Sequence, residues 1–407
     1  MKSQSYTNLR TRSALDIENL DTMQYSPSLQ ISDNEDDRYV NKPKKFCRWR
    51  FNKKFLICAA LFVACLLFIV YKNMNDAGSL SFRNISKYID EEEEEDTTPA
   101  DAKEFKLMII SDLDKKSRDS EDKKGKWNSI LKRGTLTRDE SGNFSIHWLE
   151  DQIISTGHNE AGRGMELSSL RAFNGKLYAM DDRTGIVFQI VKGPKSYPKY
   201  ILMEGNGETD KGEKCEWSTV KDNKLYVGSF GKEYTNPDGS IKNRNNMWIS
   251  TIDKEGRIEH EDWTSYYNAM RHAVGVDYPG YMIHEAINWS KIHHKWFILP
   301  RRVSKDAYDE NTDERMGHNT LIICTEKFEQ CDVKNVTPLT PTRGFSSFSF
   351  VPGSKDTIIA ALKSEENEEQ HTQNTYITVF TIDGKVLLEE TEIPGNRKFE
   401  GLEFFAF

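Results

Sequence analysis

Five oxygen-bearing residues recur at one place in a repeated pattern. Ser168 opens the run S-S-L-R-A-F-N-G-K-L-Y and Glu216 opens E-W-S-T-V-K-D-N-K-L-Y, so the two copies align on their K-L-Y strands. The same position returns at Glu285, ahead of W-S-K-I-H-H-K-W-F, at Ser346, ahead of F-S-F-V-P-G-S-K-D-T-I-I, and at Glu400 in K-F-E-G-L-E-F. Three carboxylates and two hydroxyls brought to one axis are unstable if left alone, because like charges out of water must take up protons or bind a cation. The set holds no His and no Cys, so a hard ion is expected. Six to eight oxygens at about 2.3–2.6 Å is Ca²⁺ chemistry, with carbonyls and water completing the shell. Zinc is disfavoured: His293 and His294 are adjacent in a turn-like stretch, and neither C-x-x-C nor H-E-x-x-H occurs. His284, beside Glu285, reads as a packing or hydrogen-bonding group.

More charge stands at the ends of strand-like text. Asp112 and Asp114 close I-I-S-D-L-D, Arg163 and Glu166 lie in G-R-G-M-E, Asp182 in M-D-D-R-T-G, and Arg301 in L-P-R-R. An arginine fork matches phosphate oxygens. A channel with a dication, acids and arginines therefore suits a polyphosphate ester, where charge must be neutralised and a water activated. The equally simple alternative for any one Arg–Asp pair is an inter-strand salt bridge. No G-x-x-x-x-G-K-[ST], G-x-G-x-x-G after a strand, or G-x-S-x-G is present, which excludes P-loop and Rossmann nucleotide sites and the commonest hydrolase elbow.

The elements that must position these residues are short strands. From Phe105 onward, K-L-Y-A-M-D-D, G-I-V-F-Q-I-V, M-W-I-S-T-I-D, N-T-L-I-I-C-T and T-Y-I-T-V-F-T-I are β-branched or aromatic and punctuated by Gly, Asn, Asp and Pro. Helical periodicity is weak, with its better candidates near Trp127–Lys132 and Trp263–His272. A repeat of about fifty to seventy residues is that of a four-stranded propeller blade. Five copies predict an all-β, five-bladed β-propeller with the ring residues at the heads of the innermost strands, the chain's last strand completing the first blade.

Composition and topology set the context. The chain has 407 residues with 56 Lys and Arg against 64 Asp and Glu, a net charge of −8 that argues against nucleic-acid binding. Residues 1–54 are polar and read as a cytosolic disordered tail. Residues 55–71, FLICAALFVACLLFIVY, are uncharged and near the short limit of a membrane span. A basic cluster precedes them and an acidic run follows, so the positive-inside rule predicts a type II transmembrane signal anchor. Residues 72–104 read as an acidic luminal stalk and 105–407 as the propeller. Sequons at Asn84, Asn143, Asn288 and Asn335 all follow the anchor, and Asn288, so near Glu285, is expected to stay unmodified. Cys324 and Cys331 flank a hairpin-like T-E-K-F-E-Q and could pair in an oxidising lumen, leaving Cys215 odd.

At these residues the chain resembles the calcium-activated nucleotidases, or apyrases, of the vertebrate endoplasmic reticulum/Golgi and of blood-feeding insect saliva. The words that carry the resemblance include ISDLDKKSR, GRGMELSSL, CEWSTVKDNKLYVGSFGKEY, PGYMIHEAINWS, WFILPRR, GFSSFSF and KFEGLEF, from about Ile109 to Phe405. The resemblance implies a five-bladed propeller, one Ca²⁺ in its channel, and Ca²⁺-dependent hydrolysis of nucleoside di- and triphosphates to monophosphate and phosphate. It carries the metal ligands onto Ser168, Glu216, Glu285, Ser346 and Glu400. It leaves Ser169 where an acidic sixth ligand is expected. It maps substrate contacts onto Asp112 and Asp182, and catalytic roles onto Asp114 or Glu166 for orienting water and Arg163 or Arg301 for neutralising charge. A luminal diphosphatase would clear UDP and GDP left by glycosyl transfer, in the endoplasmic reticulum or Golgi membrane or secreted after cleavage in the stalk. Related members form homodimers, though no interface is legible here. Two other readings stay open: a Ca²⁺-dependent lactonase or esterase propeller, which needs a His base near the ion, and a membrane-anchored binding propeller with no activity.

Overall fold

A computed structural model describes residues 96–236, 238–367 and 372–407. The described chain forms five antiparallel sheets of four or five strands, each a propeller blade. The first blade combines Glu104–Ser111, Trp127–Arg138, Phe144–Trp148 and Gln152–Thr156 with the C-terminal strand Phe399–Glu403. The other inner strands are Leu167–Phe173, Trp217–Lys221, Gly280–Ser290 and Arg343–Phe350, each followed by three further strands of its own blade. The last strand pairs with the first, Ile109 opposite Leu402 and Ile110 opposite Gly401, and this closes the ring as the repeat predicts.

Strand periodicity explains why the blades stay together. Successive side chains face opposite sides of a sheet, and here both sides are covered by neighbours. Leu107 and Ile109 pack with Ile358, Ala360 and Ile377 of the fifth blade, while Met108 and Ile110 pack with Leu170 and Ala179 of the second. Trp296 and Ile298 face Trp217 of the third blade, and Phe297 and Leu299 face Phe345 and Phe348 of the fifth. The remaining gap is filled by Met180, Val187, Leu225 and Ile252. Five inter-blade cores thus replace a single central one, which leaves the axis free for polar groups.

Four details differ from or extend the expectations. The segment near Trp127 is a strand, not a helix: Trp127–Arg138 has strands on both sides, pairing with Glu104–Ser111 and with Gln152–Thr156, and that pairing outweighs a weak helical pattern. The second helical candidate is a helix, Thr264–Ala273, held by Trp263, Tyr267 and Met270 in the core between the third and fourth blades. The end of the acidic stretch is built into the propeller, since the Asp96 carboxylate accepts from Gly353 N. Gly353, at φ 74°, admits this approach because a Cβ there would lie 2.8 Å from Pro99 O. Cys324 and Cys331 form a disulfide across paired strands, and Cys215 is buried as a free thiol.

Among the described residues no helix is long and apolar enough to cross a membrane. The tail, the anchor expected at 55–71 and most of the stalk lie outside the described residues.

Candidate metal and phosphate site

Four of the five ring residues share a backbone device, an irregularity in strand pairing. At the head of its inner strand, Ser168 is skipped between the pairs Leu167–Asp181 and Ser169–Met180. Glu400 is skipped between Phe399–Ser111 and Gly401–Ile110, and Ser346 between Phe345–Lys363 and Ser347–Leu362. Glu285 lies in the irregularity between His284 and Ile287. Glu216 stands just before its strand, its N–H donating to Gly228 O at 2.8 Å. A bulge re-aims the unpaired side chain, here out of the inter-blade core.

The result is one carboxylate cluster. Oxygens of Glu216, Glu285 and Glu400 lie within 4.8 Å of one another, and all three residues are buried. Ser168 Oγ donates to Glu400 Oε2 at 3.0 Å, which joins that hydroxyl to the cluster. Ser346 Oγ donates to Phe399 O at 3.0 Å. Ser169 faces elsewhere in its bonding: its hydroxyl pairs with Ser218 Oγ at 2.7 Å, linking the second and third blades.

Three cations are threaded through the acids. Arg301 donates to Glu400 at 2.7 Å, to Glu366 at 2.5 Å and to Glu285, and is 6% exposed. Gly344 lets it lie there, because a Cβ at that position would sit 2.5 Å from Arg301 Cγ. Lys214 bridges Asp182 and Glu216, each at 2.5 Å. Lys398 reaches Asp112 at 2.6 Å, Asp114 at 3.2 Å and Glu400 at 3.5 Å. Burial pushes Glu216 up to about 7 and Glu285 well above the carboxylate range, with Lys214 and Arg301 only partly offsetting it. Burial likewise raises Asp112, against the pull of Lys398. Carboxylates held this way are short of positive charge, and an oxygen-only donor set of this kind fits a hard dication such as Ca²⁺.

A second acidic group, Asp112, Asp114 and Glu166, borders the first. Glu166 is buried with both oxygens on Arg163, Oε1 at 2.8 Å from Nε. Asp114 is different. It sits in the left-handed region at φ 48°, its N–H capped by Asp112 Oδ1 at 2.7 Å, and its carboxylate faces the cleft. Gln373 Nε2 donates to Asp114 Oδ2 at 3.0 Å, and Arg163 Nη2 lies 3.7 Å from Oδ1. Asp112, Asp114, Arg163, Asp182, Glu216, Glu285, Arg301 and Glu400 all line one cleft of about 960 Å³; Glu166 supports Arg163 from behind it.

Lys214, Lys398, Glu366 and Gln373 belong to this site and were not singled out from the sequence. A signal for the two lysines exists: Lys214-Cys215-Glu216 and Lys398-Phe399-Glu400 repeat a Lys two residues before a ring glutamate. Glu366 and Gln373 face each other on the two middle strands of the fifth blade, Ile358–Asn367 and Thr372–Thr381, and their reach into the cleft depends on how far those strands extend.

The comparisons agree with this geometry. A family model described as Apyrase matches residues 113–405. A protein of Rattus norvegicus named soluble calcium-activated nucleotidase 1 is 47% identical over 302 residues, 74% of this chain and 73% of its own. An apyrase of Caenorhabditis elegans is 43% identical over 74% of this chain and 85% of its own, and an apyrase of Cimex lectularius is 43% identical over 76% and 85%. With the family model spanning nearly the whole propeller, the chain belongs to the apyrase family.

Proposed function

We propose that this protein is a Ca²⁺-dependent nucleotidase that hydrolyses nucleoside diphosphates, UDP and GDP foremost, and triphosphates to the monophosphate and phosphate. The observation that carries the reading is the meeting of Glu216, Glu285 and Glu400 within 4.8 Å at the floor of a cleft that also holds Arg163, Lys214 and Lys398. Family membership supports nucleotide hydrolysis, and the names of the nucleotidase relatives support the choice of ion.

Glu216, Glu285 and Glu400, with Ser168 and Ser346, are the residues that would hold Ca²⁺; Ser169, engaged with Ser218, is the weakest of the expected ligands. The ion would supply Lewis-acid polarisation of the phosphoryl oxygens. Around it, Arg163 and Lys398 are placed to take up charge on the phosphates. Arg301 is enclosed by Glu285, Glu366 and Glu400, so its role is to hold the ring together. Asp114 presents the cleft-facing carboxylate for orienting the attacking water, whereas Glu166 lies outside the cleft lining, is fully engaged by Arg163 and fixes that guanidinium.

The lactonase alternative needs a His base near the ion. His284 is completely buried, is pushed down to about 3 by burial, and does not line the cleft. The cellular part of the proposal is a type II protein, anchored by residues 55–71, with its propeller in the lumen of the endoplasmic reticulum or Golgi, where it would remove the nucleoside diphosphates left by glycosyl transfer. Phosphate release by the full chain from UDP, GDP, ADP and ATP, with Ca²⁺, with Mg²⁺ alone and with chelator, tests the chemistry. Turnover of UDP and GDP only with Ca²⁺ is expected. Turnover that is equal in chelator would overturn the metal assignment, and absence of any turnover would leave a binding propeller.

A further inference from the structure

We infer that Arg302 holds the phosphate that stays with the nucleoside, across the channel from Arg163, so that the cleft grips a polyphosphate at both ends. This deepens the nucleotidase reading and rests on it.

Arg302 follows Arg301 on the second strand of the fourth blade, Lys295–Ala307, and lines the cleft with it. The two arginines differ in what they meet. Arg301 is occupied by Glu285, Glu366 and Glu400. Arg302 is only 2% exposed, yet its Nε and Nη1 carry no hydrogen bond to any described residue. Its one ion-pair partner among the described residues, Asp313 Oδ2, lies 3.9 Å from Nε, too far for a hydrogen bond. The other oxygen of Asp313 accepts from the Tyr281 hydroxyl at 2.5 Å. Gly344 makes room for the fork, because a Cβ there would lie 2.4 Å from Nη1.

A buried guanidinium with unmet donors is costly unless hydrogen bonds and counter-charge offset its burial. Burial and the neighbouring Arg301 charge pull Arg302 below the usual arginine range, and the carboxylates of Asp313, Glu285 and Glu366 do not make up the difference. A ligand that brings anionic oxygens into the cleft would. The planar fork suits a phosphate, which can accept from two of its nitrogens at once.

Position says which phosphate. The five blades follow one another around the axis in chain order, and the closing strand joins the last to the first. Arg163 stands between the first blade and the inner strand of the second, so the fourth blade, with Arg302, lies opposite it. Asp114, the carboxylate assigned to orienting water, is 3.7 Å from Arg163, which puts the attacked terminal phosphate on that side. The end that carries the nucleoside then falls to Arg302. A di- or triphosphate meets both forks at once, whereas a monophosphate meets one. Grip is therefore lost when hydrolysis has shortened the chain to the monophosphate, and the reaction stops there.

The test is inhibition of UDP hydrolysis by UMP and by inorganic phosphate, on the full chain with saturating Ca²⁺, together with melting temperatures with and without UMP. Arg302→Met is expected to raise the UMP inhibition constant and the KM for UDP about tenfold, and to leave the phosphate constant unchanged. Arg163→Met is expected to show the reverse preference, weakening phosphate more than UMP. UMP should raise the melting temperature of wild type and not that of Arg302→Met. The variant itself should melt no lower than wild type, because a buried charge with unmet donors has been removed. Arg302→Lys, which keeps the charge without the fork, should fall between the two. A UMP constant indifferent to Arg302→Met would overturn the inference with the nucleotidase reading intact, as would an equal loss for UMP and phosphate. A melting temperature well below wild type with UMP binding kept would make Arg302 a structural residue. If the wild-type chain turned over no UDP, the nucleotidase reading itself would fall.

Discussion

Arg301 Nη1 lies 2.7 Å from Glu400 Oε1 and so ties the fourth blade to the strand that closes the propeller. The same guanidinium holds Glu285 and Glu366, and all four groups are largely shielded from water. One residue therefore joins ring closure to the state of the metal site.

Replacing Arg301 with Met removes the only cation in direct contact with Glu285 among the described ion pairs. Breaking a buried pair by deleting one partner costs about 3–5 kcal/mol, because the remaining charge is stranded. Thermal unfolding in chelator is expected to show that loss, and added Ca²⁺ is expected to recover a large part of it. A variant as stable as wild type in chelator would show that the carboxylates are already protonated there.

Asp114 and Glu166 are expected to behave differently when neutralised. Asp114→Asn should lower kcat about a hundredfold with little change in KM, as for loss of a water-orienting base. Glu166→Gln should act through Arg163, raising KM more than it lowers kcat. Steady-state kinetics on UDP separates the two, and the reverse pattern would exchange their roles.

Glu213 sets a pH dependence away from the ring. It is 3% exposed, accepts from Ser250 Oγ at 2.5 Å, and is pushed up to about 8 by burial. A folded-state value above the ordinary glutamate value of 4.5 means that the folded chain keeps a proton which the unfolded chain releases. Its stabilising effect is complete below about 4.5 and is lost progressively as pH rises through about 8. Glu213→Gln should thus melt near wild type at pH 5 and increasingly above it up to pH 8; a constant offset across that range would count against a buried neutral carboxyl.

Glycan mapping tests the luminal assignment and the Asn288 expectation together. Asn288 is 4% exposed, with Nδ2 donating to Phe348 O at 2.6 Å, whereas Asn143 and Asn335 are exposed. Protein from a secretory cell line is expected to carry glycans at Asn143 and Asn335 and none at Asn288. Bare Asn143 and Asn335 would argue against luminal residence of the propeller.

Much of this was legible in order along the chain. Ser168, Glu216, Glu285, Ser346 and Glu400 could be found because a repeated fold repeats its strand heads, and alternation along each strand is local. The five blades and the closing strand follow from the same periodicity, as does the hairpin around Cys324 and Cys331. Other features depended on contacts between distant segments. The strand at Trp127 arises from partners on both sides of it, which no short window contains. The bulges that turn Glu400 and Ser346 inward are mismatches between two strands, and one strand alone does not show them. Lys214 and Lys398 were readable in principle as lysines two residues from a ring glutamate, but the pairing of Lys214 with Asp182 joins two blades, and that of Lys398 with Asp112 joins the two ends of the propeller chain. The ranking of Asp114 over Glu166 rests on which carboxylate the Arg163 fork already occupies. Strand order and ring position were thus set by local alternation and repetition, whereas charge compensation, burial and access came only from the closing of the ring, because those depend on what each group meets across the channel.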